Sequence, residues 1–99
     1  MCGRFTLRAS ASEIAAYFEL MRDLAEWDRP RFNIAPTQSV LAVRASTVGR
    51  EPARLRWGLI PSWAKDAKLA ATMINARAES VAEKPAYRAA FKRQRCLFL

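Results

Sequence analysis

The chain has 99 residues, 52% of them hydrophobic and 26% charged, with 17 Lys and Arg against 9 Asp and Glu for a net charge of +8. That size fits one domain with a small core, and the composition is globular rather than disordered. No histidine is present, which excludes Ser-His-Asp and Cys-His relays within these residues, and Cys2 and Cys96 alone cannot supply four zinc ligands. No apolar run reaches the roughly 18 residues of a membrane span. The opening Met1-Cys2-Gly3-Arg4-Phe5-Thr6 lacks the apolar stretch of a signal peptide. The expected setting is cytoplasmic and reducing, with no membrane contact and no Cys2–Cys96 disulfide.

Ser10-Ala11-Ser12-Glu13 opens a helix, because Ser10 and Glu13 have capping-box spacing and Ser12 is the rival cap. Ile14, Tyr17, Phe18, Met21 and Leu24 recur at helical spacing, with Arg22, Asp23 and Glu26 mostly opposite, and Pro30 ends the segment. Arg31 to Gln38 reads as a loop leading into a strand over Val40-Leu41-Ala42-Val43. Ser46 to Pro52, with Gly49 inside, reads as a turn, and Arg54 to Ile60 as the return strand of a hairpin. Pro61-Ser62-Trp63 breaks that strand, and Lys65 to Ala71 reads as a surface loop. Met73 to Ala78 is either a strand or an irregular buried segment. Pro85 lies near the first turn of a helix through about Lys92, and Arg95 to Leu99 reads as an apolar strand that needs a partner to cover it.

Three features carry candidate chemistry. Removal of Met1 would make Cys2 the N-terminus, placing an α-amine and a thiol on adjacent carbons. Such a pair captures an aldehyde first as an imine and then as a five-membered thiazolidine, which an internal cysteine cannot do. The α-amine titrates near about 7.7–8.0, so roughly a tenth is neutral at pH 7, against well under about 0.1% of a lysine. The alternative is an ordinary small buried residue. Second, the 13 arginines against 4 lysines suit a polyanion, since guanidinium groups contact phosphate in bidentate fashion. Arginines adjoin aromatics at Arg4-Phe5, Arg31-Phe32 and Arg56-Trp57, with Trp63 nearby, the combination single-strand binders use. A solvated basic surface is the alternative, and Arg88, Lys92, Arg93 and Arg95 fit the wet face of a helix. Third, Asn75, Arg77 and Glu79 alternate, and in an extended segment would share one face. They suit a sugar and a phosphate, or else a self-contained Arg77–Glu79 network.

Four fragments in order resemble the SRAP family, the SOS response-associated peptidase or abasic-site processing proteins. They are Met1-Cys2-Gly3-Arg4-Phe5, Asn33-Ile34-Ala35-Pro36-Thr37, Trp57-Gly58-Leu59-Ile60-Pro61-Ser62-Trp63 and Ile74-Asn75-Ala76-Arg77-Ala78-Glu79. The resemblance implies an α+β fold with a curved, barrel-like antiparallel sheet and flanking helices. Residues 1–99 would be the N-terminal part of a single such domain, truncated relative to the family.

The resemblance also implies a sensor of abasic sites in single-stranded DNA. Cys2 would be the nucleophile that forms a covalent thiazolidine link after loss of Met1. Asn75 would hold the cysteine or the opened sugar. Arg4 and Arg77 would grip flanking phosphates, Trp63 and Pro36 would wedge or stack where the base is missing, and Gly3 would let the DNA approach. No cofactor and no metal are implied. The family's glutamate and histidine, which assist proton transfer, ring opening and crosslink reversal, follow the segment resembling Arg95-Cys96-Leu97 and are not among these residues. Glu79 sits beside Arg77 in the motif, away from the acid/base position. Bacterial members of such a family would work at the nucleoid. The rival readings are a cysteine-type peptidase, which would need a group to activate the thiol, and a non-catalytic fragment that self-associates through exposed strand edges.

Overall fold

A computed structural model describes residues 2–20, 22, 24–27 and 29–99. Among the described residues, five strands and two α-helices follow the order β1 (Phe5–Leu7), α1 (Ala11–Phe18), β2 (Arg31–Ile34), β3 (Ser39–Ser46), β4 (Gly49–Arg56), α2 (Arg88–Arg93) and β5 (Cys96–Phe98). The arrangement is α+β. The strands form two antiparallel sheets, β1-β2 and β4-β3-β5, rather than a closed barrel.

Strand β3 is central because it is apolar on both faces. Val40, Leu41, Ala42 and Val43 are all buried, and successive side chains of a strand point to opposite sides. Leu41 joins a cluster with Ala11, Ile14 and Leu24. Val40 joins a second cluster with Ile34 and Trp57, flanked by Phe5 and Ile74. One face of the sheet thus holds α1, and the other holds the short β1-β2 ladder.

Ser10 caps α1 as its spacing predicts, accepting a hydrogen bond from the Glu13 amide at 3.2 Å. Removing that acceptor by Ser10→Ala is expected to lower stability by about 1 kcal/mol, read as a reduced midpoint at unchanged slope in urea. The helix is shorter than the apolar spacing suggests. Glu19 adopts a left-handed conformation (φ 55°), and the amides of Glu19 and Leu20 close on the carbonyls of Ala16 and Ala15, a Schellman closure. Tyr17, expected on the apolar face, is 79% exposed and meets Phe18 in an edge-to-face contact. Leu24 reaches the core from beside a separate 3-10 turn, Ala25–Trp27. Met21 and Asp23 lie outside the described residues.

The hairpin is longer than its β-propensity indicates. Ser46 pairs with Gly49, so only Thr47 and Val48 turn, and Pro52 lies inside β4 opposite Val43. Proline is tolerated there because β4 is an outer strand of its sheet. Arg31 to Ile34 is a strand rather than a loop, paired with β1 through Phe5–Ile34 and Leu7–Arg31. β5 pairs with β3 as an apolar terminal strand should, leaving Leu97 and Phe98 partly exposed.

Candidate functional site

The segment Trp57-Gly58-Leu59 continues from β4 as a docking strip. Trp57 is 5% exposed, exchanges backbone hydrogen bonds with Thr37 and Gln38, and sets its ring tilted against that of Phe5, with 5.3 Å between centroids. Its indole Nε1 donates to the Ile74 carbonyl at 2.9 Å, and the Leu59 amide donates to the Met73 carbonyl at 3.0 Å. Between them Gly58, at φ 133°, lies against Ala70 of a second 3-10 turn, Ala67–Ala71. That turn replaces the expected surface loop. Asp66 caps it, accepting from the Lys68 amide at 2.9 Å, and Ala70 is fully buried. Residues 70–75 are thus laid along the strip as an irregular segment.

This path delivers Asn75 to the N-terminus. Its Nδ2 donates to the Cys2 carbonyl at 2.9 Å, across 73 positions of sequence. The Cys2 side chain is exposed, with Sγ 3.4 Å from the Arg4 carbonyl. Cys2 and Asn75 line an open cleft of about 1230 Å³ with Phe5, Trp57, Tyr87 and Cys96 among its walls. Arg4 extends an Nη1–H to Asn33 Oδ1 at 3.2 Å, which fixes its guanidinium beside β2. Gly3 is open: a side chain added there meets nothing within 4 Å.

The remaining candidates separate into two groups. Trp63 is 60% exposed and Phe32 66% exposed, so both offer free aromatic faces. Pro36 is half-buried. It precedes Thr37, which holds φ 72° at the entry to β3. Arg77 is exposed, and its side chain makes no hydrogen bond or ion pair among the described residues, with Glu79 or any other group. Other residues are occupied. Phe5 and Trp57 are core aromatics, not stacking platforms. Arg31 donates to the Ser39 carbonyl and to Gln38 Oε1, bracing the β2–β3 turn. Arg44 pairs with Glu51 at 2.7 Å across the hairpin.

A family-wide sequence profile described as SOS response associated peptidase (SRAP) matches residues 1–99. The chain belongs to the SRAP family. It is 43% identical over 98 residues to abasic site processing protein YoaM of Bacillus subtilis, an alignment covering 98% of this chain and 43% of the relative. Abasic site processing protein YoqW, from B. subtilis and from Bacillus phage SPbeta, matches at 43% identity over the same share of this chain and 44% of the relative. This SRAP chain spans less than half the length of those relatives.

Three residues of this SRAP chain enter the site without having been singled out from its sequence for that place. Asn33 holds Arg4, Trp57 holds the Ile74 carbonyl, and Tyr87 donates its hydroxyl to the Asn75 carbonyl at 3.0 Å. Asn33 and Trp57 do stand within family-like fragments, whereas Tyr87 carries no local signal.

The two thiols differ in setting. Burial pushes the Cys96 thiol above its ordinary range, with the nearby Arg44 opposing the shift only in part. Cys2 is exposed. Limited iodoacetamide at pH 8 is therefore expected to alkylate Cys2 first, with Cys96 following as pH rises, read by peptide mass spectrometry. Equal labelling at low reagent would contradict the described burial.

Proposed function

We propose that this SRAP chain captures abasic sites in single-stranded DNA through Cys2, forming a thiazolidine link. The observation that carries the reading is the Asn75–Cys2 hydrogen bond beside an exposed thiol. It ties two family-like fragments together at the residue whose chemistry suits an aldehyde. The names of the relatives, abasic site processing proteins, agree with an aldehyde-bearing DNA lesion as the target.

The chemistry needs only the chain and the opened sugar. Met1 lies outside the described residues, and its removal frees the Cys2 α-amine. The amine adds to the C1′ aldehyde of the ring-opened deoxyribose, and the carbinolamine loses water to give an imine. The thiol sulfur then adds to the imine carbon while its proton passes to nitrogen. One water leaves overall, and no oxidant or reductant is consumed. Asn75 holds the Cys2 carbonyl, so the amine and thiol start from a fixed backbone rather than a freely rotating end. Such fixing reduces the entropy lost on reaching the reactive geometry.

In this reading Arg4 and Arg77 contact phosphates on either side of the lesion, which adds counterion release to binding. Trp63 stacks on a flanking base and Pro36 fills the space of the missing one. Open Gly3 lets the sugar approach the nucleophile. The test mixes the chain with a single-stranded oligonucleotide carrying one abasic site and runs a denaturing gel. A retarded band whose mass is the sum of both partners less one water is expected, with none from undamaged DNA. A chain shown by intact mass to have lost Met1, yet giving no such band, would refute the proposal.

A further inference from the structure

We propose that Tyr87 is a positioning residue for the Cys2 site, acting through Asn75. This inference rests on the reading that Cys2 is the reactive group. The geometry is a relay of three hydrogen bonds. Trp57 Nε1 holds the Ile74 carbonyl at 2.9 Å, the Tyr87 hydroxyl holds the next carbonyl, that of Asn75, at 3.0 Å, and Asn75 Nδ2 holds the Cys2 carbonyl at 2.9 Å.

The anchors at the far end are firm for different reasons. Trp57 is core, and its backbone is paired with Thr37 and Gln38. Tyr87 opens α2: its amide donates to the Lys84 carbonyl and its own carbonyl accepts from the Phe91 amide at 2.8 Å. Its half-buried ring lines the same cleft as Cys2. Residues 73–77 lie outside any helix or strand, so no ladder fixes their dihedral angles. Two side-chain donors to successive carbonyls do that instead. They set the direction from which the Asn75 amide leaves the backbone, and hence whether it meets Cys2. The phenol touches no reacting atom. Its effect is on the orientation of Asn75 alone.

The variant Tyr87→Phe keeps the ring and removes only the donor. Two readouts follow it. The first needs no DNA: the side-chain amide of Asn75, observed by NMR, is expected to shift and to exchange with water about threefold to tenfold faster, the range equivalent to one hydrogen bond. The Gln94 side-chain amide in the same spectrum serves as the reference. An unchanged Asn75 amide would overturn the inference.

The second readout is the rate of crosslinking to abasic single-stranded DNA. It is expected to fall about threefold to tenfold with DNA affinity unchanged. The double variant Tyr87→Phe with Asn75→Ala should then crosslink no more slowly than Asn75→Ala alone, since Tyr87 has nothing left to orient. Additive losses would overturn the inference, because they would place Tyr87 in general stability. If the parent chain, with Met1 removed, forms no link at all, the proposed function fails while the NMR result still decides the role of Tyr87.

Discussion

Cys2→Ala is expected to abolish the denaturation-resistant link to abasic DNA while leaving a borohydride-trapped one. Alanine keeps the N-terminal amine and therefore the imine. It removes the sulfur that closes the ring, so the imine hydrolyses unless it is reduced. Cys2→Ser should behave like Cys2→Ala to within a small residual, because a hydroxyl is a weaker nucleophile than a thiol towards the imine carbon. The exposed position of Cys2 makes this a clean comparison: its side chain fills no core space, so neither variant leaves a cavity. The measurement is a denaturing gel with and without borohydride. A stable link formed by Cys2→Ala at the parent's rate would remove Cys2 from the mechanism and direct attention to another amine.

Gly58→Ala is expected to be the most destabilising single-methyl change in the chain. Gly58 holds φ 133°, a region L side chains rarely adopt, and an ideal Cβ there would stand 2.5 Å from the Ala70 carbonyl oxygen. The obstacle is backbone, which cannot swing aside as a side chain tip does. Strain and the displaced turn together should cost about 2–4 kcal/mol, read as a lowered urea midpoint. The consequence reaches the site. Gly58 lies between the Trp57 and Leu59 bonds that hold residues 73 and 74, so a shifted Ala70 also disturbs the approach of Asn75 to Cys2. Crosslinking should therefore fall even in the fraction that remains folded. By contrast Gly49, also at positive φ, has nothing within 4 Å of an added Cβ. Gly49→Ala should carry only the cost of its backbone conformation.

The fragments of this chain that could be read without tertiary information were those whose signal is local. The Ser10 cap needs only the Glu13 amide three residues on, and it forms. The β3–β4 hairpin is written in its apolar run and its turn residues, although the turn itself is shorter than those residues suggest. Strand β2 was hidden because Arg31-Phe32-Asn33-Ile34 buries only Ile34 among its four residues. Its pairing with β1 depends on Phe5 and Leu7 being carried there by the core. The length of α1 was also hidden. The apolar spacing runs past Phe18, but a left-handed Glu19 turns the chain before the next turn of helix can form.

The same division runs through the candidate site. Cys2, Asn75, Arg4 and Arg77 can be picked out as candidates because their types and spacing resemble a family pattern. Sorting the arginines and aromatics was not legible. Arg31 braces a turn and Arg44 meets Glu51, while the Arg77 side chain has no partner among the described residues; Trp57 is buried with Phe5 half-buried against it, while Phe32 and Trp63 face outward. Each arginine has the same charge in the sequence, and only its neighbours in space decide whether that charge is spent within the fold.

What the sequence determined by itself was the set of available reactions. An adjacent amine and thiol latent at Cys2, an excess of arginine and the lack of histidine follow from composition and order. Tertiary structure alone decided which groups meet. Asn75 reaches Cys2 across 73 positions, while Tyr87, at the start of α2, holds the Asn75 carbonyl and Trp57, just past β4, holds that of Ile74. Local propensity is set by each residue and its near neighbours. A hydrogen bond between distant segments depends on the packing of everything between them, and leaves no mark at either end.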